Sequence, residues 1–293
     1  MYRRSQPDFA ILGLGTAFVA YALVSIQWSA RESLWPTIEL FSLVIAFALG
    51  YFVNLRVASL IVCLFTAANC LPAAVTSMGY FNMPHGLFGN PNFLGCAVVL
   101  ALAAAIVYKF YWFYPFAAVG LWLSQSRGAF IGAVAAVLIG IWRRDRLLAL
   151  TLALVLTATG IAISDGRSFS GWARIGVWQD TVNHLTVFGS GWGSFFTEYS
   201  SWPIRTNMTT ELAPHAYNDF LQLTFELGIG TIPLWVLIAY SLETESPATL
   251  ILLTGLALGL TYFPLRIPGI GHFMILSLGH MAFHRRRLWL VGN

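Results

Sequence analysis

The sequence predicts an all-α, polytopic integral membrane protein, a single membrane domain over residues 1–293, and three observations carry that prediction. The composition is 58% hydrophobic and only 10% charged, with a mean hydropathy of +0.72, whereas soluble domains carry about 25% charged residues. Apolar runs close to the ~20 residues that a membrane helix needs recur along the chain, separated by short polar breaks. One long stretch, 164–217, is not apolar; it is too rich in tryptophan and other aromatics for a disordered linker and longer than ordinary connections, so it reads as a functional outer loop.

Taken in order, the apolar segments are 9–28, 34–53, 57–78, 92–109, 110–124, 127–142, 147–163, 218–242, 247–264 and 267–283, which makes about ten transmembrane helices. The first follows Met1–Arg4 without a small-residue cleavage site, and it reads as a retained anchor. With the N-terminus inside, Arg3, Arg4, Arg56, Lys109, Arg143, Arg144, Arg146, Arg285, Arg286 and Arg287 fall on the cytoplasmic side. Arg31, Arg127, Arg167, Arg174, Arg205 and Arg266 fall outside. The dense basic clusters are then all inside, as the positive-inside rule requires. Both termini are expected in the cytoplasm and the loop between the seventh and eighth helices outside, in the periplasm or its equivalent.

The net charge of +4 follows from these cytoplasmic clusters and implies no nucleic acid partner. Cys63, Cys70 and Cys96 lie inside apolar runs without metal-type spacing and read as buried small hydrophobes, with a Cys70–Cys96 bridge as the alternative.

The polar residues that carry chemistry gather on the outer side. In 81–92, Gly89-Asn90-Pro91-Asn92 is turn chemistry in which Pro91 and Asn92 start a helix; Asn90 and Asn92 could equally offer amides to a polar ligand. Arg127 opens an apolar helix, where a charge is expensive and either snorkels to headgroups or holds an anion. Within the long loop, 171–185 reads as an amphipathic interfacial helix with Trp172, Ile175, Trp178, Val182 and Leu185 on one stripe and Arg174 and Asp180 off it. Arg174 read on spacing alone is a solvated or headgroup-bound side chain. Gly189-Ser190-Gly191-Trp192-Gly193 reads as a flexible turn that could form an anion nest. His215 stands at the outer edge of the eighth span, just before Asn218, and Glu226 lies two turns further in. Arginines on one face with an unliganded imidazole and no metal-binding pattern suit chemistry on a diphosphate: the cations neutralise phosphate and the imidazole takes a proton. Glu226 would orient a polar group or pair with an arginine; the remaining histidines read as structural.

Gly86-x-Phe88-x-Asn90-Pro91-Asn92, Ser126-Arg127-Gly128, Arg174-x-x-x-Trp178, Gly189-x-Gly191-x-Gly193-x-Phe195 and His215-x-x-Asn218 with Glu226-x-Gly228-x-Gly230 occur in this order. Together, over residues 80–280, they resemble the O-antigen ligase and polymerase superfamily. That resemblance implies a metal-independent, cofactor-free type C glycosyltransferase of lipopolysaccharide biosynthesis. The donor would be an undecaprenyl diphosphate-linked glycan, the acceptor a hydroxyl of lipid A core or of a second lipid-linked glycan, all among membrane lipids. By position, Arg127 and Arg174 would hold the diphosphate and His215 would act as general base, with Asn90, Asn92, Asn218 and Glu226 around the substrate. A ligase is the first expectation and a polymerase the second; a transporter of lipid-linked glycan is the alternative from another class.

Overall fold

The computed structural model describes residues 9–29, 34–77, 86–142, 170–202, 215–242 and 246–284. Among these residues the secondary structure is entirely helical. The elements are α1 (Phe9–Ser25), α2 (Leu34–Phe52), α3 (Leu55–Ser77), α4 (Pro91–Tyr108), α5 (Tyr114–Ser124), α6 (Arg127–Trp142), α7 (Ser170–Asn183), α8 (Phe195–Ser201), α9 (Asp219–Leu227), α10 (Ile232–Ser241), α11 (Pro247–Gly259) and α12 (Ile270–His284). The predicted seventh span, 147–163, lies outside the described residues.

Among the described residues, five helical stretches are long and apolar enough to cross a membrane: Phe9–Trp28, Leu34–Phe52, Leu55–Ala74, Pro91–Tyr108 and Asp219–Ser241. The others are short: α6 matches its predicted 127–142, and α5, α11 and α12 fall below their predicted lengths. α5 has 11 residues, α6 16, α11 13 and α12 15, below the ~17 that cross a hydrocarbon core unaided. The cause is local. α4 and α5 each end on a residue in the left-handed region, Lys109 (φ 59°) and Gln125 (φ 46°), and α11 stops where the chain turns through 260–269. Asp219–Ser241 is itself interrupted by a tight 3-10 turn at Gly228–Thr231, which separates α9 from α10. Short and broken helices are tolerated in lipid only where protein covers the freed backbone groups.

α4 is the centre of the bundle. Every residue from Leu94 to Ala105 is buried, as expected of a helix that is apolar all round. Small residues bring its neighbours close: a Cβ on Gly95 would stand 2.7 Å from the Ala129 Cβ, and one on Gly132 would meet Leu258 and Val99. Without a hydrophobic driving force between helices in lipid, such close backbone approach is what holds them together. The same device joins α2 to α12, where Gly50 and Gly279 interlock and leave no room for a side chain. Cys63, Cys70 and Cys96 are buried and free, so they are the small hydrophobes of the first reading and not a bridge.

Candidate functional site

α4, α6 and α9 all begin at the end of the bundle where α11 finishes. Polar N-caps define those starts. Asn90 accepts the Asn92 N–H at 2.8 Å, the Ser126 hydroxyl accepts the Ala129 N–H at 3.3 Å, and Asn218 accepts the Leu221 N–H at 3.0 Å. Each satisfies a helix donor that would otherwise be orphaned. Asn218 also donates from its Nδ2 to the Leu260 carbonyl at 3.2 Å, which ties α9 to the end of α11. Asn90 and Asn218 are thus engaged in building this end of the bundle, and Asn92 contributes its backbone to the α4 cap.

The turn that follows, Thr261-Tyr262-Phe263, is where the predicted site residues meet. Arg174 reaches it from α7, donating from Nη1 to the Thr261 carbonyl at 2.9 Å. Its guanidinium lies 5.2 Å from the centre of the Tyr262 ring and 5.1 Å from that of Tyr217. His215 stacks on Phe263 with centroids 4.0 Å apart and planes 22° apart. Phe93, one residue beyond Asn92, meets Phe263 edge-on at 5.8 Å. Arg127 is exposed at the first position of α6, and its neighbour Gly128 is pressed against Thr261 and Tyr262, where a Cβ would stand 3.0 Å from the Tyr262 ring. Arg174 and His215 therefore contact one short turn, and Arg127 is adjacent in sequence to the glycine that packs on it.

Arg174 is not the solvated side chain its spacing suggested. α7 spans Ser170–Asn183, close to the predicted 171–185, and turns Val177, Asp180 and Thr181 toward the protein while Ile175 and Val182 stay exposed. Arg174 lies with the protein-facing set because two aromatic faces and a carbonyl receive it. Among the described residues it has no carboxylate partner, and a guanidinium held by π faces keeps its full charge for an anion.

The backbone that presents His215 is fixed from both sides. The Trp178 indole N–H donates to the Ala216 carbonyl at 2.7 Å, and the Ala216 N–H donates to Gln222 Oε1 at 3.1 Å. Tyr217 adopts φ 53°, unusual for a bulky residue; this conformation sends its ring over Arg174 while Asn218 begins α9. The His215 Nδ1 is buried.

Glu226 belongs to a second, deeper cluster. Fully buried, it accepts from Gln222 Nε2 at 3.0 Å, from the Gly193 N–H at 2.9 Å and from Arg266 Nη2. Arg266 also donates from Nη1 to Glu39 Oε2 at 2.8 Å and lies 4.0 Å over the Trp192 ring. Burial works against the Arg266 charge, and Glu226 and Glu39 more than offset it, so its pKa rises above the usual arginine value. Unlike Arg174, this arginine is fully compensated and serves the fold. Nearby, Asp219 accepts the Leu265 N–H at 3.0 Å and fixes the turn leading to Arg266.

The glycine turn is corrected by the same cluster. Its N–H groups do form a cradle, but α9 fills it: Ser190 donates to the Phe225 carbonyl at 3.0 Å and Gly191 to the Glu226 carbonyl at 2.8 Å, while Gly193 takes the carboxylate. It is packed, not flexible. Gly191 sits at φ +97°, and a Cβ there would lie 2.6 Å from the Ser25 carbonyl oxygen.

Sequence reasoning missed Thr261, Tyr262, Phe263, Gln222 and the pairing of Arg266. The one local signal was Arg266, a charge between two apolar runs; nothing local marked the three residues before Pro264. Of the residues expected around the substrate, Asn218 bonds to the Leu260 carbonyl and Glu226 pairs with an arginine, Arg266, one of the two readings its position offered. Comparison with protein-family models gives no match for this chain, and comparison with curated protein sequences gives none either.

Proposed function

We propose that the chain is a membrane glycosyltransferase of the O-antigen ligase type, transferring a glycan from undecaprenyl diphosphate to an acceptor sugar hydroxyl at the periplasmic face. The observation that carries this reading is the convergence on the Thr261–Phe263 turn of two arginines and a histidine. Arg174 brings a charge that no carboxylate among the described residues neutralises, Arg127 is exposed next to Gly128, which packs on the same turn, and His215 is held over Phe263. In the proposed reaction Arg174 and Arg127 bind the diphosphate and stabilise the charge that develops on it as the glycosidic bond breaks. His215 accepts the proton of the acceptor hydroxyl as its oxygen attacks the anomeric carbon from the opposite face. Gln222, Trp178 and Glu226 act as positioning residues by fixing Ala216 and the start of α9. The ten-span topology, with both termini cytoplasmic and the site periplasmic, is part of the proposal.

The test replaces His215, Arg174 and Arg127 singly with alanine in the host and resolves surface glycans by size. Each variant is expected to insert normally and to accumulate lipid-linked glycan. Full-length glycan left unattached identifies a ligase, and single repeat units attached to the core identify a polymerase. A wild-type glycan pattern from His215→Ala would refute the catalytic assignment.

A further inference from the structure

The turn 185–193 lies in the stretch that the sequence assigns to the outer loop, yet its bonds are made partway down two membrane spans. The Tyr21 hydroxyl donates to the Phe188 carbonyl at 2.7 Å. The Ile229 N–H donates to the Val187 carbonyl at 2.8 Å, and the Ser190 and Gly191 N–H groups donate to the carbonyls of Phe225 and Glu226. A Cβ on Gly230 would run into the Tyr21 ring, so α1 and the broken span Asp219–Ser241 meet the turn at one level. That level is deep. Tyr21 stands seven residues before Trp28, where the first span ends, and at 1.5 Å per residue this is about 10 Å. Ile229 stands ten residues after Asp219, where the other span begins, or about 15 Å along an unbroken helix. Trp28 and Trp35 are both exposed, as tryptophans at a membrane–water interface are. Val24, between Tyr21 and Trp28, is exposed as well, so the lipid-facing surface of α1 continues past the level of Phe188 toward that interface.

Backbone groups at such a depth must be paired within the protein, because lipid offers them no partner. In an unbroken helix Ile229 would donate to Phe225 and Gly230 to Glu226; the 3-10 break at Gly228–Thr231 ends that ladder, and the turn supplies partners for Phe225, Glu226 and Ile229. Gly189 (φ +73°) and Gly228 (φ +52°) press backbone to backbone, so that a Cβ on either would overlap the other segment. The break and the turn are one device. The side chains of the turn's apex face outward: Val187 and Phe188 are each 63% exposed, and Ile229 and Ile232 are exposed too. No charged residue occurs in 185–193, and among the described residues nothing covers the apex.

We propose that 185–193 is a re-entrant turn that enters the bilayer beside α1 and presents Val187 and Phe188 to the acyl chains of the leaflet bounded by Trp28 and Trp35. The proposal does not depend on which reaction the Thr261–Phe263 turn supports. Spin labelling of the full-length chain in phosphatidylcholine vesicles tests it. Val187→Cys, Phe188→Cys, Val24→Cys on α1 and Asn183→Cys at the exposed end of α7 each receive one nitroxide, the native cysteines being buried. Power saturation then compares collisions with oxygen, which concentrates in hydrocarbon, and with a neutral nickel chelate, which stays in water. The labels at 187 and 188 are expected to match the one at Val24, with the ratio of oxygen to chelate accessibility at least about threefold above that at Asn183, because the bilayer core excludes water. Chelate accessibility at 187 and 188 equal to that at 183 would place the turn in water, and exclusion of both probes there would mean that protein covers the apex; either result overturns the proposal. Should Phe188→Cys fail to insert, Val187→Cys at the same apex decides the outcome.

Discussion

Replacing Glu226 with alanine is the most revealing perturbation of this fold. It removes one of the two carboxylates from a guanidinium whose side chain is only 5% exposed, and leaves Glu39, itself 27% exposed, as the remaining counter-charge. It also orphans the Gly193 N–H and the Gln222 amide, which both donate to Glu226. Breaking a buried ion pair by deleting one partner costs about 3–5 kcal/mol. At roughly 2 °C per kcal/mol for a chain of this size, that lowers Tm by about 6–10 °C. Glu226→Gln keeps an acceptor but not the charge and should fall by about half as much, in line with the 1.5–3 kcal/mol of hydrogen bonds to charged groups. The decisive measurement is a double-mutant cycle read by thermal unfolding in one detergent. Glu226→Leu with Arg266→Met replaces the pair by apolar groups and should recover much of the loss, because the desolvation cost of both ions disappears together. Losses that simply add in the double variant would show that Arg266 and Glu226 are not partners and refute this account of the cluster.

Other consequences can be checked in the same preparations. Arg174→Lys should leave Tm within about 2 °C yet reduce glycan transfer at least about tenfold, because a lysine reproduces neither the planar contact with Tyr217 and Tyr262 nor a guanidinium fork on a diphosphate. Gly191→Ala combines a left-handed backbone with a Cβ 2.6 Å from the Ser25 carbonyl oxygen. It should lower stability by more than about 2 kcal/mol, whereas Gly13→Ala should not lower it. Trp178→Phe removes the indole N–H that holds the Ala216 carbonyl; about 1 kcal/mol of stability is expected to go, with kcat for transfer falling more than KM. Cys63, Cys70 and Cys96 are all buried, so maleimide should label none of them in the folded chain and all three after denaturation, as mass spectrometry would report.

What the sequence made legible were features with a local cause. The helical class, the boundaries of α7 and the start of α4 at Pro91 came from periodicity and from capping chemistry that acts within three or four residues. The membrane character came from composition, and the length of individual helices did so only in part, because α5 and α11 are cut short by turns at Gln125 and at 260–269. At the site, the grouping of Arg127, Arg174 and His215 on one end of the bundle was readable from topology. Their common neighbour was not. Thr261, Tyr262 and Phe263 have no pattern that announces them, since their role depends on which helices end beside them. Arg174 and Arg266 look alike as isolated arginines near membrane helices. Only packing separates them, two aromatic faces for one and two carboxylates for the other. The glycine turn read as flexible for the same reason, because nothing local shows that α9 supplies acceptors for its N–H groups.

The clasp between the 188–192 turn and α1 has a consequence for biogenesis. The Trp192 N–H donates to the Ser25 hydroxyl across 167 residues of chain, and the Tyr21 hydroxyl donates to the Phe188 carbonyl across the same separation. At about 5–20 residues per second, the ribosome delivers those partners roughly 8–33 seconds after Tyr21 and Ser25 emerge. α1 must wait in lipid for that interval. Its sequence, with a mean hydropathy of 2.1 over Phe9–Trp28 and 22% of that window buried in the finished bundle, suits a helix that is stable alone in a bilayer first and an assembled part of the bundle later.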